Sequence, residues 1–251
     1  MAFAQSAARR PIAGAVATLG VSDRVDFLRK TYGLLGVALI AFAAITGGMM
    51  RFAPAMSLKF SGWALQGRWS WMIVLGLFMV VGYVAQQLAN SQTSRGLQLL
   101  GLGVAVVAQG VLLQPLLWVL IFQFGRGHGM AGQAATILLQ AVVITLSIFI
   151  GLTLTVFITK KDFSFLRGIL TVGAFAAMGV IIVSMIFGFS LGAFFCGAVI
   201  LLMAGYILYQ TSLVMNSFPP TAFVAAALML FSTIATLFWY VLQLLMSLNR
   251  R

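Results

Sequence analysis

Seven stretches of this chain are each long enough to cross a bilayer, and within them no aspartate, glutamate, histidine or lysine occurs. They run from Thr31 to Met50, Trp69 to Ala89, Leu97 to Phe124, Gln133 to Ile158, Gly168 to Phe187, Leu191 to Met215 and Ala222 to Leu248. A helix rises ~1.5 Å per residue, so about 20 apolar residues match a ~30 Å hydrocarbon core. That core holds no water to pair backbone amides and carbonyls, so each stretch has to be helical. The pattern predicts an all-α, polytopic membrane protein: a bundle of seven transmembrane helices over residues 31–251, behind a tail of residues 1–30.

The breaks between stretches are as telling as the stretches. Only Gly188, Phe189 and Ser190 separate the fifth from the sixth, and none is charged. One helix from Gly168 to Met215 would be about 70 Å long, more than twice the core thickness. The chain has to turn there, and Gly188 and Gly192 let it. Pro219 and Pro220 mark the turn before the last helix. Pro115, inside the third stretch, lacks an amide donor and crowds the preceding turn, which predicts a kink.

Composition and charge agree with a lipid solvent. The 251 residues are 62% hydrophobic and 7% charged, where a water-soluble domain carries about a quarter charged. The net charge is +12, from 15 basic and 3 acidic residues. On a soluble fold such an excess would suggest nucleic acid. Here the basic residues lie between apolar runs, where they set topology instead. With the N-terminus inside, the inner segments carry Arg9, Arg10, Arg24, Arg29, Lys30, Arg95, Lys160, Lys161 and Arg167. The outer ones carry Arg51, Lys59, Arg68, Arg126, Arg250 and Arg251. Nine against six predicts a cytoplasmic N-terminus and a C-terminus outside, with Asp23, Asp26 and Asp162 all inside.

The N-terminal run after Arg9 and Arg10 is short and rich in glycine and alanine, with Ala15 and Ala17 in a small-x-small pattern. Pro11 stands where a twin-arginine signal wants a bulky apolar residue, so the segment reads as a cytoplasmic tail. Residues 23–30 are expected to lie as a short amphipathic segment at the interface. Cys196, the single cysteine, reads as an apolar packing residue.

Proton relays, carboxylate cation sites and the lysine of retinal proteins all require a titratable group inside the membrane. The spans offer amides instead: Gln98, Gln109, Gln114, Gln140, Gln210 and Gln243. Most are expected to act as interhelical glue, worth ~0.6 kcal/mol apiece. Gly188-Phe189-Ser190-Leu191-Gly192 fits a nucleophile-elbow pattern, but that motif needs a strand-turn-helix context. A tight turn is expected there, with His128 as a solvated loop residue. Gly125-Arg126-Gly127-His128-Gly129 follows a helix rather than a strand, so it does not read as a phosphate cradle. Lys160, Lys161 and Arg167 suit either topology anchoring or anionic head groups.

The run Phe157-Ile158-Thr159-Lys160-Lys161-Asp162-Phe163-Ser164-Phe165-Leu166-Arg167-Gly168 resembles the inside loop of the transmembrane Bax inhibitor motif family. Bacterial members typically carry Thr-Lys-Lys-Asp-Phe-Ser there. Tyr32-Gly33-Leu34-Leu35 resembles the start of the family's first helix. Gly205-Tyr206-Ile207-Leu208-Tyr209-Gln210-Thr211 resembles its sixth-helix signature, Gly-Tyr-Ile-Leu-Tyr-Asp-Thr. The likeness extends from about Phe27 to the C-terminus. It implies a seven-helix bundle with six helices around a central last one, in the bacterial inner membrane.

In that family an aspartate pair is held to share a proton and to gate a pH-sensitive calcium leak. Gln210 stands at the first position. Aligning the last helix through residues 237–248 puts the second on Tyr240, with Gln243 at a nearby asparagine. Neither side chain titrates near neutrality, so the likeness implies that the pH switch is missing. A residual central polar site of Gln210, Tyr240, Tyr209, Thr211 and Gln243 is expected, with Lys160, Lys161, Asp162, Phe163 and Ser164 as the cytoplasmic motif. No catalytic residue, metal ligand or cofactor is expected. Three functions stay open. The first is a cation leak, with calcium as the expected ion, or a derivative of it without pH gating. The second is an interaction protein that modulates a membrane-bound protease or another complex. The third is an intramembrane hydrolase using Ser190 and His128.

Overall fold

A computed structural model describes residues 20–91, 94–125, 132–188 and 191–250. The tail with Arg9 and Arg10, the glycine-rich loop with Arg126 and His128, Ser190 in the elbow-like pattern, and Arg251 lie outside the described residues. Eight helices are present among those described: α1 (Val21–Phe52), α2 (Pro54–Leu65), α3 (Arg68–Ala89), α4 (Arg95–Phe124), α5 (Gln133–Thr159), α6 (Leu166–Phe187), α7 (Ala193–Asn216) and α8 (Phe223–Asn249). All but α2 are long and apolar enough to cross a membrane. The molecule is a polytopic membrane bundle, as the apolar stretches require.

The last helix is the central one. Inside the protein lies 72% of its most apolar window, against 11% for α6. Helices α1, α3, α4, α5 and α7 pack directly on α8, while α6 joins the bundle mainly through α7. Phe42 of α1 meets the rings of Phe231 and Phe238 edge-on, an arrangement that brings ring edge to ring face. On the outside, α6 presents Val172 and Phe175 to the surroundings, as a lipid-facing surface should.

Two elements differ from the sequence-based expectation. Residues 23–30 are not a separate interfacial segment. They form the first turns of α1, and Phe27 is buried there at 2% exposure. The connection between the first two spans carries an eighth helix, α2, started by Pro54 in its first turn. This 12-residue helix is too short to span, and it buries small residues, Ser57, Ser61 and Ala64. Gln114 of α4 holds it. Ser57 Oγ donates to Gln114 Oε1 at 2.7 Å, and Trp118 Nε1 donates to Ser57 Oγ at 2.8 Å. Gln114 Nε2 in turn donates to the carbonyls of Thr46 and Gly110, at 3.2 Å each. Helix α4 continues through Pro115, immediately after this buried amide.

The alternation of the helices brings the N-termini of α1, α4, α6 and α8 and the C-termini of α3, α5 and α7 to one end, called the near end below. The far end is fastened by Arg68, whose Nη1 donates to the carbonyl of Ile186 at 3.2 Å. Helix α6 ends there at Gly188, in the left-handed region at φ 78°, where glycine meets no steric penalty.

Candidate functional site

Beside the central helix, in its near half, lies a cavity of about 380 Å³. Gln86 of α3, Gln109 of α4, and Tyr206 and Gln210 of α7 reach its wall, and α8 contributes Ser232, Thr233 and Thr236. Thr233 Oγ1 donates to Gln210 Oε1 at 2.8 Å, both groups buried. The carbonyl of Met229, at 3.2 Å, is the alternative acceptor for the same hydroxyl. Thr236 Oγ1 back-bonds to the carbonyl of Ser232 at 2.8 Å. Tyr206 donates to the carbonyl of Leu170 at 3.2 Å and so ties α6 to α7 beside the cavity.

The polar part of the wall is therefore made of neutral amides and hydroxyls, set among apolar residues such as Phe78, Met203 and Leu228, with no lysine, arginine, histidine or carboxylate among the lining residues. Among the described residues no cluster of histidine, cysteine and carboxylates suited to a metal ion is found. Neutral oxygens replace part of a hard cation's hydration shell without trapping the ion, which is the balance conduction needs.

The residues expected at this site separate. Gln210 belongs to it. Tyr209 is half-buried and does not line the cavity. The Thr211 hydroxyl lies beside that of Tyr32 on α1. Tyr240 packs edge-on against Phe195, with ring centroids 6.0 Å apart. Phe195 and Gln210 are fifteen positions apart on α7, about 22 Å along the axis, so Tyr240 does not face Gln210; Thr233 does. Gln243 sits nearer the far end, where Cys196 Sγ approaches its Oε1 at 3.7 Å. Among the other amides, Gln98 Nε2 donates to the carbonyl of Ser91 at 2.7 Å, while Gln140 is exposed on α5 and is not interhelical glue.

The near-end motif folds around Asp162. Its Oδ1 accepts from the Ser164 amide at 2.9 Å and from Ser212 Oγ at 3.2 Å, and its Oδ2 accepts from Ser164 Oγ at 3.0 Å. The Phe163 amide donates back to Ser212 Oγ at 3.1 Å. Lys160 closes α5 in the left-handed region at φ 51°, and Lys160 and Lys161 are both exposed. This loop is thereby pinned to the last turns of α7.

Seven long apolar helices, six of them around a buried seventh with a polar cavity at its side, define a multi-pass integral membrane protein. The chain belongs to the family described as Inhibitor of apoptosis-promoting Bax1, whose sequence model matches residues 24–250. It is 29% identical over 245 residues to Bax inhibitor 1 of Schizosaccharomyces pombe, covering 92% of this chain and 79% of that one. It is 28% identical over 246 residues to the Golgi anti-apoptotic protein of vaccinia virus, covering 94% and 91%. An uncharacterized protein of Pseudomonas aeruginosa is 27% identical over 218 residues, covering 86% and 87%. No solved structure matches the chain.

The cavity residues Gln86, Ser232, Thr233 and Thr236 were not singled out from sequence. Their signal is faint: a Ser-Thr pair and a threonine one turn on, within an otherwise apolar helix.

Proposed function

We propose that this protein provides a leak path for cations, calcium foremost, that lacks carboxylate pH gating. The observation that carries the proposal is the neutral cavity beside α8, with Gln210 hydrogen-bonded to Thr233 at its wall. In the family the sixth-helix aspartate is held to share a proton with a second one, and sharing requires contact. On this backbone the side chain in contact with position 210 belongs to Thr233. The pair is a neutral amide and hydroxyl, so no proton is gained or lost there across the physiological range. The reading includes no catalysis and no cofactor. It places the protein in a bacterial inner membrane.

The orientation within this proposal is N-in. Among the described residues the near end carries Arg24, Arg29, Lys30, Arg95, Lys160, Lys161 and Arg167, against Arg51, Lys59, Arg68 and Arg250 towards the far end. The richer end faces the cytoplasm by the positive-inside rule.

A second reading is favoured by the names of the relatives. Bax inhibitor 1 and the Golgi anti-apoptotic protein are named for opposing another process, not for transport. An interaction protein that modulates a membrane protease or another complex requires no path through the bundle.

Purified protein in liposomes loaded with a calcium indicator separates the two. Calcium entry of equal rate at acidic and neutral pH is the expected result. Protein that inserts but passes no calcium at either pH refutes the leak and leaves the interaction role.

A further inference from the structure

A second polar cavity, of about 450 Å³, lies in the far half of the bundle, between Cys196 of α7, Leu116 of α4 and the end of α8. Gln243, Ser247 and Arg250 give it its polar wall. Arg250 is held at the mouth by its own bond, Nε to Gln123 Oε1 at 2.9 Å.

The two cavities share one face of one helix. Ser232 and Thr236 in the near cavity, and Gln243, Ser247 and Arg250 in the far one, follow at spacings of four, seven, four and three. At 3.6 residues per turn these positions form a single stripe. An apolar central helix has no packing reason to carry a polar stripe from one half of the membrane into the other. The stripe is interrupted once, at Trp239. Its indole stacks on Trp71 of α3, with centroids 6.1 Å apart and an interplanar angle of 24°. Both indoles line the far cavity, and Trp239 follows Thr236 of the near cavity by only one turn, about 4.5 Å of rise.

We infer that the far cavity is the outer half of the same cation path, and that the stacked Trp71–Trp239 pair is the constriction that limits flow through it. The inference rests on the leak reading for what passes, but not for where the barrier stands. Two stacked indoles narrow a gap with a rigid apolar layer, and a hydrated cation crosses such a layer slowly because it sheds water that the rings do not replace. Shortening either ring joins the two cavities. The near cavity is neutral and Arg250 is the one charged group lining the far one, so the permeant follows from the leak reading and not from the charge of the walls.

Two readouts test this. The first is calcium entry into liposomes, for wild type, W71A, W239A and W239F. The alanine variants are expected to pass calcium several-fold faster, and W239F, which keeps a ring, to stay near wild type. The second is independent of calcium. In a Cys196→Ser background, Ser232→Cys is exposed to a membrane-impermeant methanethiosulfonate with a quaternary ammonium group, in intact cells and in inverted vesicles. With both tryptophans present it is expected to react from the near-end side only, and with W71A or W239A from both sides. Far-side reaction without calcium entry keeps the constriction and defeats the leak. Continued far-side protection in both alanine variants, in protein that still elutes as a single folded species, overturns the constriction. So does far-side reaction while both tryptophans are in place.

Discussion

Ser212 Oγ lies 3.2 Å from Asp162 Oδ1 and accepts the Phe163 amide at 3.1 Å, so one hydroxyl on α7 both gives to and receives from the α5–α6 loop. The loop motif that marks the family is thus a clasp around its aspartate, with the lysines left in solvent. Removing the carboxylate by Asp162→Ala strands the Ser164 amide and hydroxyl and the Ser212 hydroxyl. Because Asp162 is exposed, water replaces part of what is lost. The expected cost is about 1 kcal/mol, below the usual range for bonds to a charged group. It is read as a lower unfolding midpoint in detergent. Asp162→Asn, which keeps one acceptor oxygen, should lose less, and Lys161→Ala should leave the midpoint unchanged.

Gln114 is the only attachment of α2 through a fully buried side-chain amide among the described residues. Gln114→Leu keeps the volume and removes every partner. Ser57 Oγ then loses its acceptor and the Thr46 carbonyl its side-chain donor, while Trp118 Nε1 keeps Ser57 Oγ, an expected loss of about 1–3 kcal/mol. The change should also alter the emission of Trp118, since its indole N–H bonds through Ser57 to that amide. Unchanged stability and an unchanged spectrum would show that α2 is held by packing alone.

Gly101 sets the closeness of α3 and α4. A Cβ there would stand 2.6 Å from the Ala85 carbonyl oxygen and 2.7 Å from the Ala89 amide nitrogen. Those neighbours are backbone, so relief requires the helices to separate, and small residues are what permit such approach in membranes. Gly101→Ala is expected to cost about 1–3 kcal/mol, the usual range for overpacking, with Gly101→Val worse. Gly103, two positions on, faces open space. Gly103→Ala is the matched control and should be neutral in the same melts.

The seven spans were legible because hydrocarbon imposes helix on any long uncharged run, whatever its residues. The centrality of α8 is implied by the family likeness and not by apolarity, since α6 is more apolar and yet lies at the periphery. Helix α2 was hidden: too short to span, with Lys59 and Gly62 in its sequence, and anchored by a buried amide whose partner lies 57 residues away. The candidate site was half legible. Gln210 stood out by its place in a signature. Its contact on α8 depends on how two helices are rotated and staggered: alignment through apolar residues 237–248 points to Tyr240, while the α8 side chain bonded to Gln210 is Thr233, seven residues earlier. Leucines and phenylalanines recur every turn in α8, so its sequence supports several registers almost equally.

That register has its own test, by rebuilding the missing carboxylates. Two aspartates in contact cannot both ionise cheaply, so one holds its proton well above the ordinary aspartate range. In Gln210→Asp/Thr233→Asp the folded protein then binds more protons than the unfolded chain as pH rises past the ordinary aspartate value of about 3.9. Where the native state holds the extra proton, stability falls with rising pH until the raised native value is passed. The double variant should therefore melt at higher temperature in mildly acidic than in neutral buffer, by more than the sum of its single variants. Its calcium entry should become pH-dependent where the wild type is flat. Gln210→Asp/Tyr240→Asp places its carboxylates too far apart to share a proton and should behave as the sum of its singles. If that pair couples and the 210/233 pair does not, the contact assigned to Thr233 is wrong.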